Sequence, residues 1–121
     1  MMSTITVDSS IALERKQLLE QELKRYLSIL TGYDQPDRVI LFGSLVGGNV
    51  RPESDIDLVI IKQTELPFWK RLREMRRLLQ PRVGTNIFVY TPNEFEQLQR
   101  ERAFFRDEIL GKGKVVYERV Y

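Results

Sequence analysis

The chain has 121 residues, of which 42% are hydrophobic and 30% are charged, and it contains neither cysteine nor histidine. This composition excludes disulfides, thiolate nucleophiles, Cys-ligated zinc and imidazole bases, so any catalysis must use carboxylates, hydroxyls, amines or a hard metal ion. Nineteen Lys and Arg against seventeen Asp and Glu give a formal charge of +2, which excludes a large positive field for nucleic acid.

The length predicts a single domain over residues 1–121, because chains of this size usually hold one hydrophobic core. The N-terminal segment lacks the basic start and the apolar run of a signal peptide. The chain also lacks an apolar stretch of about 18 residues, the length that spans a membrane. These features predict a soluble, cytoplasmic protein with no membrane segment.

The first predicted element is an amphipathic helix over residues 11–30, where leucines recur at helical spacing between charged residues. Asp8, Ser9 or Ser10 can cap its start by accepting hydrogen bonds from free backbone N–H groups. Gly32 fits the left-handed position that often follows a helix end.

Two apolar strands are predicted next, with a glycine-rich loop between them. The run 39–42 (Val-Ile-Leu-Phe) is typical of a strand that is covered on both faces, and residues 55–61 predict a second strand. Residues 43–54 contain three glycines and Pro52, which predicts a loop, with or without a short helical turn.

The second half of the chain is predicted to alternate helices and strands. The helix after the second strand covers residues 66–80, and Pro81 stops it. Thr91 and Glu94 match a capping box, with Pro92 at the first helical position. The remaining predicted elements are a strand over 83–90, a helix from 91 towards 110 that can break near Ala103, and a short strand over 115–117.

This order of elements predicts an α/β (α+β) domain with a small mixed central sheet and flanking helices.

Two aspartates at the start of the second strand carry the first chemical signal. Residues i and i+2 of a strand project to the same face, so Asp55 and Asp57 bring two carboxylates close together. Their mutual repulsion and desolvation require a compensating positive charge, and Mg²⁺ is commonly held by one or two carboxylates together with substrate phosphates. An isolated Asp-x-Asp is more often a loop-to-strand junction, with one carboxylate capping the turn and the other solvated.

The Gly43-Ser44 pair at the end of the first strand carries the second signal. Gly43 lets the backbone approach a ligand, and the Ser44 hydroxyl and successive N–H groups can hold phosphate oxygens. In isolation the pair is an ordinary strand-ending turn. The combination is more specific, because an apolar strand, Gly-Ser, ten residues and Asp-x-Asp lead into a second apolar strand.

This combination resembles the signature of the nucleotidyltransferase superfamily that includes DNA polymerase beta, and specifically its minimal nucleotidyltransferase branch. Residues 39–61 carry the signature, 87–96 resemble the next strand and helix start of that branch, and 114–118 resemble its ending. The resemblance implies a nucleotidyltransferase fold and Mg²⁺-dependent, two-metal transfer of a nucleotide, with AMP from ATP expected.

The resemblance also assigns roles at matching positions. Gly43 and Ser44 are expected to bind the β- and γ-phosphates of a nucleoside triphosphate, and Asp55 and Asp57 to be catalytic metal ligands. Arg51, in the loop before them, can neutralise phosphate charge, although it can equally be a solvated loop residue. Ser54 of the same loop is a further candidate for nucleotide binding.

The chain departs from the family pattern at the third carboxylate, which the family places on the following strand. The matching position is Asn86, whose carbonyl can ligate Mg²⁺ but brings no negative charge. The metal that activates the nucleophile is therefore expected to bind more weakly, and its base is missing. Glu53 and Glu94 are alternative acids that the fold can bring to the site.

The acceptor is expected to be a partner protein, because minimal members of this branch are associated with helical HEPN-type proteins in toxin–antitoxin pairs. The rival hypothesis is a non-catalytic nucleotide- or partner-binding antitoxin module that has lost turnover because of Asn86. A weaker alternative is nucleotidylation of a small molecule. The helix over residues 66–80 is strongly basic, and a solvated helix face is the first explanation for its charge. An acidic partner or RNA is the second. The basic residues are Lys70, Arg71, Arg73, Arg76 and Arg77. The aromatic residues Phe68, Trp69, Phe104 and Phe105 are expected in the core more than at an interface, although a small domain can leave aromatic residues exposed for a partner.

Overall fold

A computed structural model of the chain describes the backbone of residues 3–120 and the side chains of residues 10–120. Four strands form one mixed sheet: β1 (Arg38–Phe42), β2 (Ile56–Ile61), β3 (Thr85–Tyr90) and β4 (Lys114–Glu118). Their order across the sheet is β3-β2-β1-β4. The central strand β1 is antiparallel to both β2 and β4, whereas β2 and β3 are parallel.

The helices lie on both faces of this sheet, as the sequence predicted. They are α1 (Ser3–Ile29), α2 (Ser44–Gly47), α3 (Phe68–Leu79) and α4 (Pro92–Glu101), and a π-helical segment, Phe105–Gly111, follows α4. On one face, buried apolar side chains of α1 and α3 pack on alternate residues of β1, β2 and β3. On the other face, Phe95 of α4 and Ile109 of the π-helical segment pack on Ile40 and Val59. The predicted α/β architecture with a mixed central sheet is therefore confirmed.

The ends of α1 differ from the sequence prediction. The helix continues through Asp8, Ser9 and Ser10, so these residues do not cap its start. At the other end, the chain continues into a π-helical turn that contains Gly32, and the left-handed residue is Gln35, with φ 50°. The wider turn delays the reversal of the chain by three residues relative to the prediction, because the Gln35 N–H bonds back to the Leu30 carbonyl.

The capping box of α4 is confirmed. The Thr91 hydroxyl accepts from the Glu94 N–H at 3.2 Å, and the Glu94 carboxylate accepts from the Thr91 N–H at 2.8 Å. The helix ends at Glu101, and Arg102 is extended, one residue before the break expected at Ala103. The chain then re-enters the sheet through the π-helical segment, which carries the second predicted half of this helix.

A buried ionic network connects α1 to the end of α3. Glu22 is 5% exposed and accepts two hydrogen bonds of 2.8 Å from the Arg25 guanidinium and one of 2.7 Å from the Arg82 N–H. The bond from Arg25 lowers the pKa of Glu22 to about 2. Arg25 also donates to the Leu79 carbonyl at 2.9 Å, so α1 holds the turn that leads into β3.

The aromatic residues expected in the core divide between interior and surface. Phe105 is half-buried, but Phe68, Trp69 and Phe104 are exposed, so the prediction was wrong for these three. Among the helices that the structure describes, none is long and apolar enough to cross a membrane.

Candidate active site

The register of the three strands β1, β2 and β3 brings Asp57 next to Asn86. Asp57 lies opposite Phe42 of β1 and opposite Asn86 of β3, and directly paired residues project to the same face of a sheet. The Asn86 side-chain amide donates a hydrogen bond of 2.8 Å to Asp57 Oδ1. The family resemblance expects a third carboxylate at this position. The chain has Asn86 there instead, and its amide donates a hydrogen bond to Asp57.

Asp55 lies just before β2, on the same side as Asp57. Burial raises the pKa of Asp57, the negative charge of Asp55 raises it further, and the hydrogen bond from Asn86 opposes both effects. Asp55 forms a long ion pair with Arg15, whose guanidinium lies 3.7 Å from Asp55 Oδ1. Arg15 also donates to the Ser54 carbonyl at 2.8 Å, so α1 holds the segment from which Asp55 projects.

Each aspartate lies against a glycine. A Cβ at Gly43, where φ is +81°, would be 2.1 Å from Asp57 Oδ2, and a Cβ at Gly84 would be 2.2 Å from Asp55 Oδ1. Both distances are far shorter than any real contact, so a side chain at either position would displace the carboxylate. The sequence predicted a close approach at Gly43 but assigned it to a ligand, and it did not predict a role for Gly84.

A cleft of about 450 Å³ is lined by Gly43, which lies against the Asp57 carboxylate, and by Ser54, which precedes Asp55, but neither carboxylate lines it. The four predicted nucleotide-binding residues all line it: Gly43, Ser44, Arg51 and Ser54. The Ser54 hydroxyl accepts from the Arg51 N–H at 2.7 Å and closes the turn before Asp55. Lys112, which follows the π-helical segment, lines the same cleft together with Glu108.

The two alternative acids do not complete the carboxylate pair. Glu94 accepts from Arg71 at 2.6 Å and belongs to the cap of α4, beyond the end of β3 opposite to Asn86. Glu53 is an exposed loop residue. Among residues 10–120, no three Asp, Glu, His or Cys side chains are grouped as a metal site would require.

The donor set nevertheless fits Mg²⁺. Asp55 and Asp57 are hard oxygen ligands two residues apart, and burial together with the negative charge of Asp55 raises the pKa of Asp57. Within the part of the chain whose side chains are described, no ion pair joins Asp57 to a lysine or arginine. A divalent cation bound by both carboxylates would supply the missing positive charge.

Two arginines of the basic helix bind other groups of the protein. Arg71 has a 9% exposed side chain and binds Glu94, whereas Arg76 is exposed and donates to the Thr85 carbonyl at 2.5 Å. The other basic residues of α3, Lys70, Arg73 and Arg77, are exposed. The basic surface is thus smaller than the sequence indicated.

Sequence reasoning missed Arg15, Gly84 and Lys112. Arg15 is 39 residues from Ser54, and nothing local marks the contact. Gly84 stands at the start of a predicted strand, which is a weak signal for close approach to a neighbouring strand. Lys112 lies between two glycines near the chain's end, and only the packing of the π-helical segment brings it to the cleft.

Comparison with known proteins gives a matching family model and similar solved structures. A family model described as "Polymerase beta, Nucleotidyltransferase" matches residues 21–120. No curated protein matches the chain. A crystal structure at 1.40 Å resolution from Sulfolobus solfataricus, described as a nucleotidyltransferase, has a TM-score of 0.64 and 17% sequence identity, with 90% of this chain and 88% of that chain covered. A crystal structure of a toxin–antitoxin with AMP-PNP has a TM-score of 0.46 and 16% identity, with coverages of 78% and 72%. The first of these structures is similar in fold.

Proposed function

The chain belongs to the polymerase beta nucleotidyltransferase family, and we propose that it is a Mg²⁺-dependent enzyme that transfers AMP from ATP to a partner protein. The observation that carries the proposal is that Gly43, which lies against the Asp57 carboxylate, lines a cleft together with Ser44 and with Ser54, the residue before Asp55. A pair of carboxylates next to a polar cleft lined by a Gly-Ser turn can hold both a hard cation and the phosphates that it neutralises.

In this mechanism Asp55 and Asp57 would hold Mg²⁺, and the cleft would hold the β- and γ-phosphates. The metal would supply Lewis-acid neutralisation of the phosphate oxygens and a lower pKa for the attacking hydroxyl. The acceptor oxygen forms a bond to the α-phosphorus while the bond from that phosphorus to the α,β-bridging oxygen breaks, pyrophosphate leaves, and the acceptor proton passes to water. Arg51 stabilises charge on the leaving group, and Asn86 holds the Asp57 carboxylate in place through its 2.8 Å hydrogen bond.

A protein acceptor is supported by an exposed aromatic strip on the face that carries Asp57 and Asn86. Phe88 and Phe104 are 36% and 53% exposed, and their ring centroids lie 6.2 and 6.3 Å from that of Phe42. Exposed aromatic residues grouped beside a site are typical of protein interfaces. We assign this strip to the acceptor protein, a helical partner of the HEPN type, rather than to nucleic acid, since the formal charge is only +2.

A second function is favoured by one specific observation. Asn86 occupies the position of the family's third carboxylate, and its amide donates a hydrogen bond to Asp57. Among the described residues the site therefore offers two charged metal ligands and no third carboxylate to act as base for the acceptor hydroxyl. Such a site can bind a metal–nucleotide complex without turnover. The chain would then act as a non-catalytic nucleotide- or partner-binding antitoxin module.

Both functions are tested by incubating the protein with Mg²⁺, ATP labelled at the α-phosphate and the protein encoded by the neighbouring gene. The transferase predicts label in the partner with wild-type protein and with Glu53→Gln, the matched loss of an exposed acid, and no label with Asp57→Asn. A stable complex with no label under any of these conditions would refute transfer and support the binding module.

A further inference from the structure

Lys112 is held at the cleft by backbone packing. Its N–H donates to the Asp107 carbonyl at 3.1 Å, and the next N–H, of Gly113, donates to the Ile109 carbonyl at 3.0 Å. Ile109 is 1% exposed and packs on the sheet, and a Cβ at Gly113 would lie 2.0 Å from the Ile109 carbonyl oxygen. The backbone at Lys112 and Gly113 is therefore tied by hydrogen bonds to the π-helical segment, which packs on the sheet through Ile109.

The Lys112 ammonium has a weak partner. It lies 3.1 Å from Glu108 Oε1, and the two side chains are 73% and 45% exposed. An exposed ion pair of this kind contributes little stability, because solvent screens it and two long side chains lose freedom to form it. A polyphosphate with several negative charges would attract the ammonium more strongly than one solvated carboxylate does.

The lining of the cleft carries further groups that suit an anion. Arg51, Gly43 and Ser44 line it together with Lys112, so two cations belong to the lining. Glu108 is the one carboxylate among the described residues that line the cleft, and it would repel an anion unless Lys112 moved between them. A cleft with this charge pattern fits the end of a polyphosphate chain.

We propose that Lys112 binds the terminal phosphates of a nucleoside triphosphate in the cleft that it lines with Gly43 and Ser44, and that it leaves Glu108 to do so. This inference rests on the proposed function for the identity of the nucleotide. The contact itself requires only a polyphosphate.

The test is calorimetric titration of the full chain with Mg²⁺–ATP, AMP and inorganic tripolyphosphate. We expect Lys112→Met to lower the affinity for ATP and for tripolyphosphate about 10-fold, which corresponds to the loss of one charge-assisted hydrogen bond. The affinity for AMP should change less than about 2-fold. Lys24→Met removes an exposed lysine on α1 that does not line the cleft and serves as the control. Glu108→Gln is expected to raise the affinity for ATP about 3-fold, because it removes a negative charge that repels the phosphates.

Equal affinities of Lys112→Met and Lys24→Met for ATP would overturn the inference, and so would an equal loss for ATP and AMP. If the wild type bound tripolyphosphate in a Lys112-dependent manner but did not bind ATP, the phosphate contact would stand and the proposed function would fail. If the wild type bound ATP and Lys112→Met bound it equally well, the Lys112 contact would be refuted and the proposed function would stand.

Discussion

Replacing Asn86 by aspartate adds the acid that the family pattern places at this position. Without metal, Asn86→Asp removes the 2.8 Å hydrogen bond to Asp57 and puts a second carboxylate in its place. Loss of a hydrogen bond to a charged group costs about 1.5 kcal/mol at a partly exposed site. Repulsion between two carboxylates about 4 Å apart adds between about 1 and 4 kcal/mol, according to the local dielectric. We expect the metal-free variant to lose about 3 kcal/mol in free energy of unfolding.

Mg²⁺ should reverse part of this loss. A third carboxylate adds charge to the donor set, and we expect the affinity for Mg²⁺ to rise about 10-fold. At saturating metal a 10-fold tighter site adds about 1.4 kcal/mol of stability. The difference between variant and wild type should therefore shrink to about half, and AMP transfer to the partner should increase.

Urea denaturation with EDTA and with a series of Mg²⁺ concentrations measures both effects. Asn86→Ser, which removes the amide donor without adding charge, is the control and should show the same metal response as the wild type. The reasoning is wrong if Mg²⁺ raises the unfolding free energy of Asn86→Asp by no more than it raises that of the wild type, because Asn86 would then lie outside the metal site.

Three further predictions concern residues that hold the fold and the site. Because a neighbouring guanidinium lowers the pKa of Glu22 to about 2, its ionised form stabilises the fold above its ordinary pKa of 4.5, and the effect is lost as the pH falls towards 2. Between about pH 5 and pH 2 the wild type should lose about 3 kcal/mol more unfolding free energy than Glu22→Gln, and parallel pH profiles would contradict this. Gly84→Ala should weaken Mg²⁺ binding about 10-fold by displacing Asp55 with little change in melting temperature, whereas Gly32→Ala, which meets no atom within 4 Å, should leave both unchanged. Thr91→Ala should cost about 1 kcal/mol in chemical denaturation through loss of the α4 cap, and Thr91→Ser should retain most of it.

Local patterns in the sequence predicted most of the elements. The apolar run of β1, the β-branched run of β2 and the capping box before α4 each depend on neighbouring residues, so they can be read without tertiary information. The ends of α1 could not be read in this way. Caps at Ser9 or Ser10 are favourable in isolation, but helix formation continues through them, and the π-helical turn moves the chain reversal to Gln35.

The sequence by itself determined the kind of chemistry available: hard oxygen ligands and a Gly-Ser turn, with no thiol or imidazole. Only the tertiary structure decided how these groups meet. The parallel pairing of β2 with β3 places Asn86 against Asp57 across 29 residues of chain, and it brings Gly84 under Asp55. The packing of the π-helical segment likewise carries Lys112 to the cleft. Such contacts depend on strand register and core packing over long separations, which no local pattern encodes.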